Sequence, residues 1–179
     1  MSAKKTTSHC FVIDASIARA AGGFDTTHPI GKRCREFLQR IRGVCHRMAW
    51  NDAIKAEWET HESKFTMAWY VSMFNLGKIR TVGDSSHDDI RDALEALPDR
   101  GVAAKMSKDV HLIEAALATD ERIASLDDNA RDHFSRLAVA VEKLQTVHWT
   151  NPAVEGEACL EWLEAGAALD ANRLLSASL

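Results

Sequence analysis

Long apolar runs are missing from this chain of 179 residues. No stretch approaches the roughly 20 residues that span a bilayer, so a membrane-crossing helix is not expected. Cysteine is scarce: Cys10, Cys34, Cys45 and Cys159 form no Cys-x-x-Cys, which favours reduced, buried thiols over a disulfide framework. Met1 to Ser8 carries Lys4 and Lys5 but leads into no signal-length apolar region. No export signal is read there, and the expected compartment is cytoplasmic. The eight histidines form no His-x-x-x-His and do not sit beside cysteine at zinc-ligand spacing, so they are read as core or surface residues. With three prolines and nine glycines, the chain has no Pro/Gly-rich linker, and it shows no repeat or low-complexity tract. The reading is one domain over residues 1–179, with a core from about 10 to 152 and a C-terminal helix and fraying tail over 153–179.

Apolar residues make up 46% of the chain, enough for a globular core. The formal net charge of −4 is unevenly spread. Met1 to Arg47 holds nine basic and three acidic residues, a balance of +6, and the remainder carries −10. A basic first quarter beside an acidic remainder is compatible with a nucleic-acid partner, and equally with ordinary solvated helix faces.

Short apolar runs alternate with longer helical segments. Phe11 to Ile13 reads as a strand, and Val44 to Trp50, Arg122 to Leu126 and Leu144 to Trp149 as three more. Ile30, Cys34, Phe37, Leu38 and Ile41 recur at helical spacing between Pro29 and Gly43. Asn51-Asp52 supplies an N-cap for one long helix carrying Ile54, Trp58, Phe65, Trp69, Met73 and Leu76. Asp84 to Asp89 is a polar loop, and the helix after it stops at Leu97 to Gly101. Ser107 can cap the next helix, with Val110, Ile113 and Leu117 on its apolar side; the last helix runs through Ala158 to Ala165. Strands separated by helices predict an α/β fold, a three-layer α/β/α sandwich around a short, mostly parallel sheet. Ligands of such sheets sit beyond the carboxyl ends of the strands.

That rule directs attention to the acids. "CFVIDAS" (10–16) is a buried strand ending on Asp14, and "RIASLDDN" (122–129) ends the same way on Asp127. Asp109 is placed in the first turn of the helix leading into that second strand. Glu57 shares one side of its helix with Ile54, Trp58 and His61, where a carboxylate needs a partner such as Lys55, Lys64 or a distant arginine. Singly, Asp14 and Asp109 are also readable as helix caps and Asp127-Asp128-Asn129 as turn chemistry. Together, four converging acids need a cation, and oxygen-only donors suit Mg²⁺ or Mn²⁺.

The set resembles the PIN-domain nucleases, including the VapC-type toxin ribonucleases of bacterial toxin–antitoxin pairs. The resemblance rests on Asp14 in "VIDAS", Glu57 in "NDAIKAEW", Asp109 in "KDVHLIEAAL", Asp127 in "RIASLDDN" and the closing "LQTVHWTNP". It implies a PIN-like sandwich and an endoribonuclease site in which Asp14, Glu57, Asp109 and Asp127 hold Mg²⁺ or Mn²⁺. It also implies a role for Ser16 in orienting Asp14 or touching the RNA. The aromatic that commonly follows the last acid closely is delayed to Phe134, which leaves Asp127, Asp128 and Asp132 as alternatives for the last ligand. An antitoxin protein and a homodimer are the further partners implied.

Lys32, Arg33 and Arg35 decorate one helix and are the expected phosphate contacts. The five tryptophans are read as packing residues rather than base-stacking platforms. Two rivals remain: a PIN-like module that binds RNA or protein without cleaving, and a phosphatase of the haloacid-dehalogenase type. The latter usually places a second acid two positions after the first, where this chain has Ser16.

Overall fold

Cys10–Ile13 forms the central strand β1, and its four side chains are wholly buried, as a parallel strand covered on both faces requires. The computed structural model describes residues 7–23, 25, 27–83 and 85–178; the leader residues Met1 to Thr6, with Lys4 and Lys5, and Asp84 of the expected loop lie outside them. Around β1 the sheet is completed by β2 (Arg47–Trp50), β3 (Ile79–Thr81), β4 (Arg122–Ala124) and β5 (His148–Thr150). The order is β3-β2-β1-β4-β5 and every pairing is parallel. The chain moves outward from β1 to β3 and then re-enters on the other side of β1 at β4. The order therefore reverses between β1 and β4, the crevice where open parallel sheets bind ligands.

The helices are α1 (Ala15–Ala21), α2 (Pro29–Gly43), α3 (Asp52–His61), α4 (Lys64–Asn75), α5 (Asp88–Glu95), α6 (Arg100–Leu117), α7 (Asp128–Leu137) and α8 (Cys159–Glu164). α2 packs on α1, α4 and α8, whereas α6 packs on α5 and α7 and lies against β1, β2 and β4. The result is the expected α/β/α sandwich. Among the described residues no helix is long and apolar enough to cross a membrane.

Several boundaries differ from the sequence reading. The single long helix is two, because Ser63 accepts from the Thr66 amide while Thr66 Oγ1 accepts from the Ser63 amide, a capping box that restarts the helix after extended Glu62. Leu76 is exposed beyond the end of α4, and Ile30 is exposed on α2. The edge strand β3 was not anticipated; it is short, with an exposed centre. Asp88 and Asp89 belong to α5 rather than to a loop. α6 is capped by Asp99, whose Oδ1 accepts from the Gly101 and Val102 amides, so Ser107 lies inside the helix and donates to the Ala103 carbonyl.

β5 begins at His148, after a 3₁₀ turn over Glu142–Thr146. The described part of the tail packs back on the sheet rather than fraying from it. Leu174 bridges His148 antiparallel, the Leu175 amide donates to the Val147 carbonyl, and Leu175 is fully buried, which covers the free edge of β5. All four cysteines are free thiols; Cys10, Cys34 and Cys159 are buried, and burial pushes Cys10 and Cys34 up to about 12.

Candidate functional site

Asp14 follows β1 directly, and its amide still extends the sheet by donating to the Ala124 carbonyl of β4. Its carboxylate caps α1, with Oδ1 accepting from the Ser16 amide at 3.2 Å. Oδ2 accepts from the hydroxyls of Ser16 and Ser125, each at 2.5 Å. Asp14 is thus both a cap and a strand-end acid; one role does not displace the other. Ser125 is fully buried just after β4, and its hydroxyl oxygen also accepts from the Asp127 amide. Ser16 Oγ in turn accepts from the Leu126 amide. The segments Asp14-Ala15-Ser16 and Ser125-Leu126-Asp127 therefore interlock across the switch point, and Ser125 is a site residue that the sequence reading did not single out.

Asp127 caps α7, its Oδ1 accepting from the Ala130 amide at 2.8 Å. Asp128 faces the same cavity but accepts from Asn151 Nδ2 at 3.0 Å, which ties it to the residue after β5. Asp132 is exposed on α7 and does not line the cavity. Of the three alternatives for the last acid, Asp127 is the one that acts electrostatically on the others, because its charge acts on Asp109.

Asp109 is the tenth residue of α6, not part of its first turn, so a capping role is ruled out. Burial pushes its carboxyl up to about 6, and the charges of Asp14, Asp127 and Glu57 push the same way. That sensitivity to three acids from three other elements is the electrostatic signature of convergence.

Glu57 stands on α3, which an aromatic cluster anchors: Trp58 stacks on Trp69 and meets Trp50 edge to face. The buried Trp58 indole donates to the Ile13 carbonyl at 2.8 Å, tying α3 to the residue before Asp14. The tryptophans are packing residues, as expected. Neither Lys55 nor Lys64 is the partner of Glu57, and Lys55 pairs instead with Glu59. The partner is His111 of α6, whose Nε2 lies 3.1 Å from Glu57 Oε2. His111 Nδ1 lies 2.8 Å from the Lys108 carbonyl. Both ring nitrogens face acceptors, an arrangement that favours the imidazolium. Burial opposes that charge, but Glu57, the carbonyl and Asp109 outweigh it and raise the pKa. His111 is thus a site residue that the sequence reading did not single out.

Asp14, Ser16, Glu57, Asp109 and Asp127 line one open cavity of about 670 Å³, with Arg19 and His61 at its margin. Lys32, Arg33 and Arg35 do not line it. Lys32 pairs with Glu36, Arg33 donates to the Ala153 carbonyl and Glu155, and Arg35 donates to the Ala21 and Gly23 carbonyls. Arg35 thereby ties this helix to the end of α1, and Arg33 ties it to the loop after β5. Among the described residues, no three His, Cys, Asp or Glu side chains already stand grouped to hold a metal ion. No protein-family model matches the chain, and neither a curated protein nor a solved structure matches it.

Proposed function

We propose that this chain is a Mg²⁺/Mn²⁺-dependent endoribonuclease of PIN type. The observation that carries the reading is Asp109, raised to about 6 by burial and by Asp14, Asp127 and Glu57 at the switch point of a parallel sheet. The donor set fits a hard divalent cation: it is all carboxylate, it opens to solvent, and the two hydroxyl donors on Asp14 can rotate away as backbone amides cannot. Asp14, Glu57, Asp109 and Asp127 would hold the ion, while Asp128, which also lines the cavity, is engaged by Asn151. When bound, the cation makes water a usable nucleophile near neutral pH and neutralises charge developing on the scissile phosphate.

The chain's own residues do the rest. Ser16 and Ser125 aim Asp14, and His111 offsets part of the negative charge at Glu57. Because the acids are not grouped in advance, the reading requires them to close on the cation, and that is measurable. Titration of Mn²⁺ by calorimetry should give saturable binding that Asp14→Asn and Asp109→Asn weaken about 100-fold or more, with RNA cleavage lost in parallel. Cleavage that survives both substitutions, or survives a chelator, overturns the proposal.

A second reading, a PIN-like module that binds RNA or protein without cleaving, is favoured by the three hydrogen bonds already accepted by Asp14. RNA binding with no Mn²⁺ binding is the result that selects it. A toxin paired with an antitoxin, and a homodimer, are proposals that follow only from the first reading.

A further inference from the structure

Adjoining the acidic cavity, a second recess of about 410 Å³ opens between α6 and α7. Lys105 and His133 line it, and it shares Asp109, Asp127 and Asn129 with the acidic cavity. The two hollows therefore run into one another over the acids. A polyanionic strand is repelled by four carboxylates, so its hold on the protein must come from cations placed to either side of them. The molecule has such cations at both ends. Arg19 is exposed and lines only the first hollow, Lys105 is exposed and lines only the second, and among the described residues neither is joined to an acid or a carbonyl. Arg33 and Arg35, by contrast, donate to backbone carbonyls of the fold.

We infer that the Lys105–His133 recess is a phosphate subsite for a nucleic-acid strand crossing the acidic cavity, with Arg19 gripping the strand on the opposite side. The inference rests on the nuclease reading of the acids but adds the path of the substrate. Asn129, exposed where the hollows join, can donate and accept hydrogen bonds there and is positioned to touch the strand near the reacting bond. A strand held at both ends places an internal bond over the acids, which is what endonucleolytic cleavage needs.

The test uses the full chain and a short fluorescent single-stranded RNA, with Ca²⁺ in place of Mn²⁺ to suppress turnover. Binding is followed by anisotropy across a salt series. Lys105→Glu and Arg19→Glu should each weaken binding about 10-fold and reduce the slope of log affinity against log salt by about one. Lys64→Glu, the same charge change at a residue of α4 that lines neither hollow, should stay within about 2-fold of the parent. Equal effects of Lys105→Glu and Lys64→Glu overturn the recess. Calorimetric Mn²⁺ titration of the same proteins separates the two ideas: absent Mn²⁺ binding in the parent sinks the nuclease reading, whereas normal Mn²⁺ binding with unchanged RNA affinity in Lys105→Glu sinks only the subsite.

Discussion

At Asp109, α6 holds a carboxyl group against three others, and folding alone gains nothing from it. Its folded pKa of about 6 lies above the ordinary 3.8, so between those values the folded state keeps a proton that the unfolded chain has released. Stability from this group is therefore greatest below about pH 4, falls as pH rises toward 6 and is flat beyond. The full shift would be worth about 3 kcal/mol, which solvent at this half-exposed site reduces to about 1 kcal/mol. Asp109→Asn should stabilise the metal-free protein by about that amount at pH 7 and by almost nothing at pH 4, while removing the proposed metal-dependent cleavage. Urea titrations at the two pH values check the sign. His148, which burial and Arg122 lower to about 4, has the opposite pH dependence, but it is common to both proteins and cancels in the comparison.

Among the elements, the junction of α3 and α4 shows how a two-residue interruption serves the site. The capping box at Ser63 and Thr66 ends one helix and restarts another, and Ser63 Oγ also donates to the Gly22 carbonyl beyond α1. The break frees α4 to pack on α2, where the Trp69 indole donates to the Leu38 carbonyl. α3 meanwhile stays against α1 and α6, with Glu57 toward the cavity. Ser63→Ala should cost about 1 kcal/mol in denaturant unfolding. Mn²⁺ affinity should change little, since Glu57 is anchored through Trp58 rather than through the helix end.

For the molecule as a whole, the last residues close the sheet. Arg173 is buried, lies over the Trp162 ring and donates to Glu157 Oε2 at 2.9 Å and Thr150 Oγ1 at 2.6 Å. Glu157 also takes Arg131 of α7 at 2.8 Å, so one carboxylate joins the tail, β5 and α7. Arg173→Ala leaves that charge half compensated and uncovers the edge of β5. A loss of about 2–3 kcal/mol is expected, seen as a lower Tm, with Mn²⁺ affinity retained because the tail lies away from the acids. Loss of metal binding together with stability would show that the tail and the site are one unit.

The alternation of strands and helices, the buried β1 and the strand-end positions of Asp14 and Asp127 were legible because hydrophobic patterning is local and the parallel crossover follows from it. The start of α6 was misread because Asp99 and Ser107 are both good caps, and only packing against α5 and α7 decides between them. Ser125 and His111 escaped notice because a lone hydroxyl or imidazole carries no periodic signal; their meaning lies in partners 111 and 54 positions away. Arg33 and Arg35 looked like free cations for the same reason. Composition and periodicity determined the architecture, since burying an apolar stripe needs no particular distant neighbour. Which charges face one another was decided only by the tertiary structure, because Coulomb interactions depend on separation in space and the chain order does not contain it.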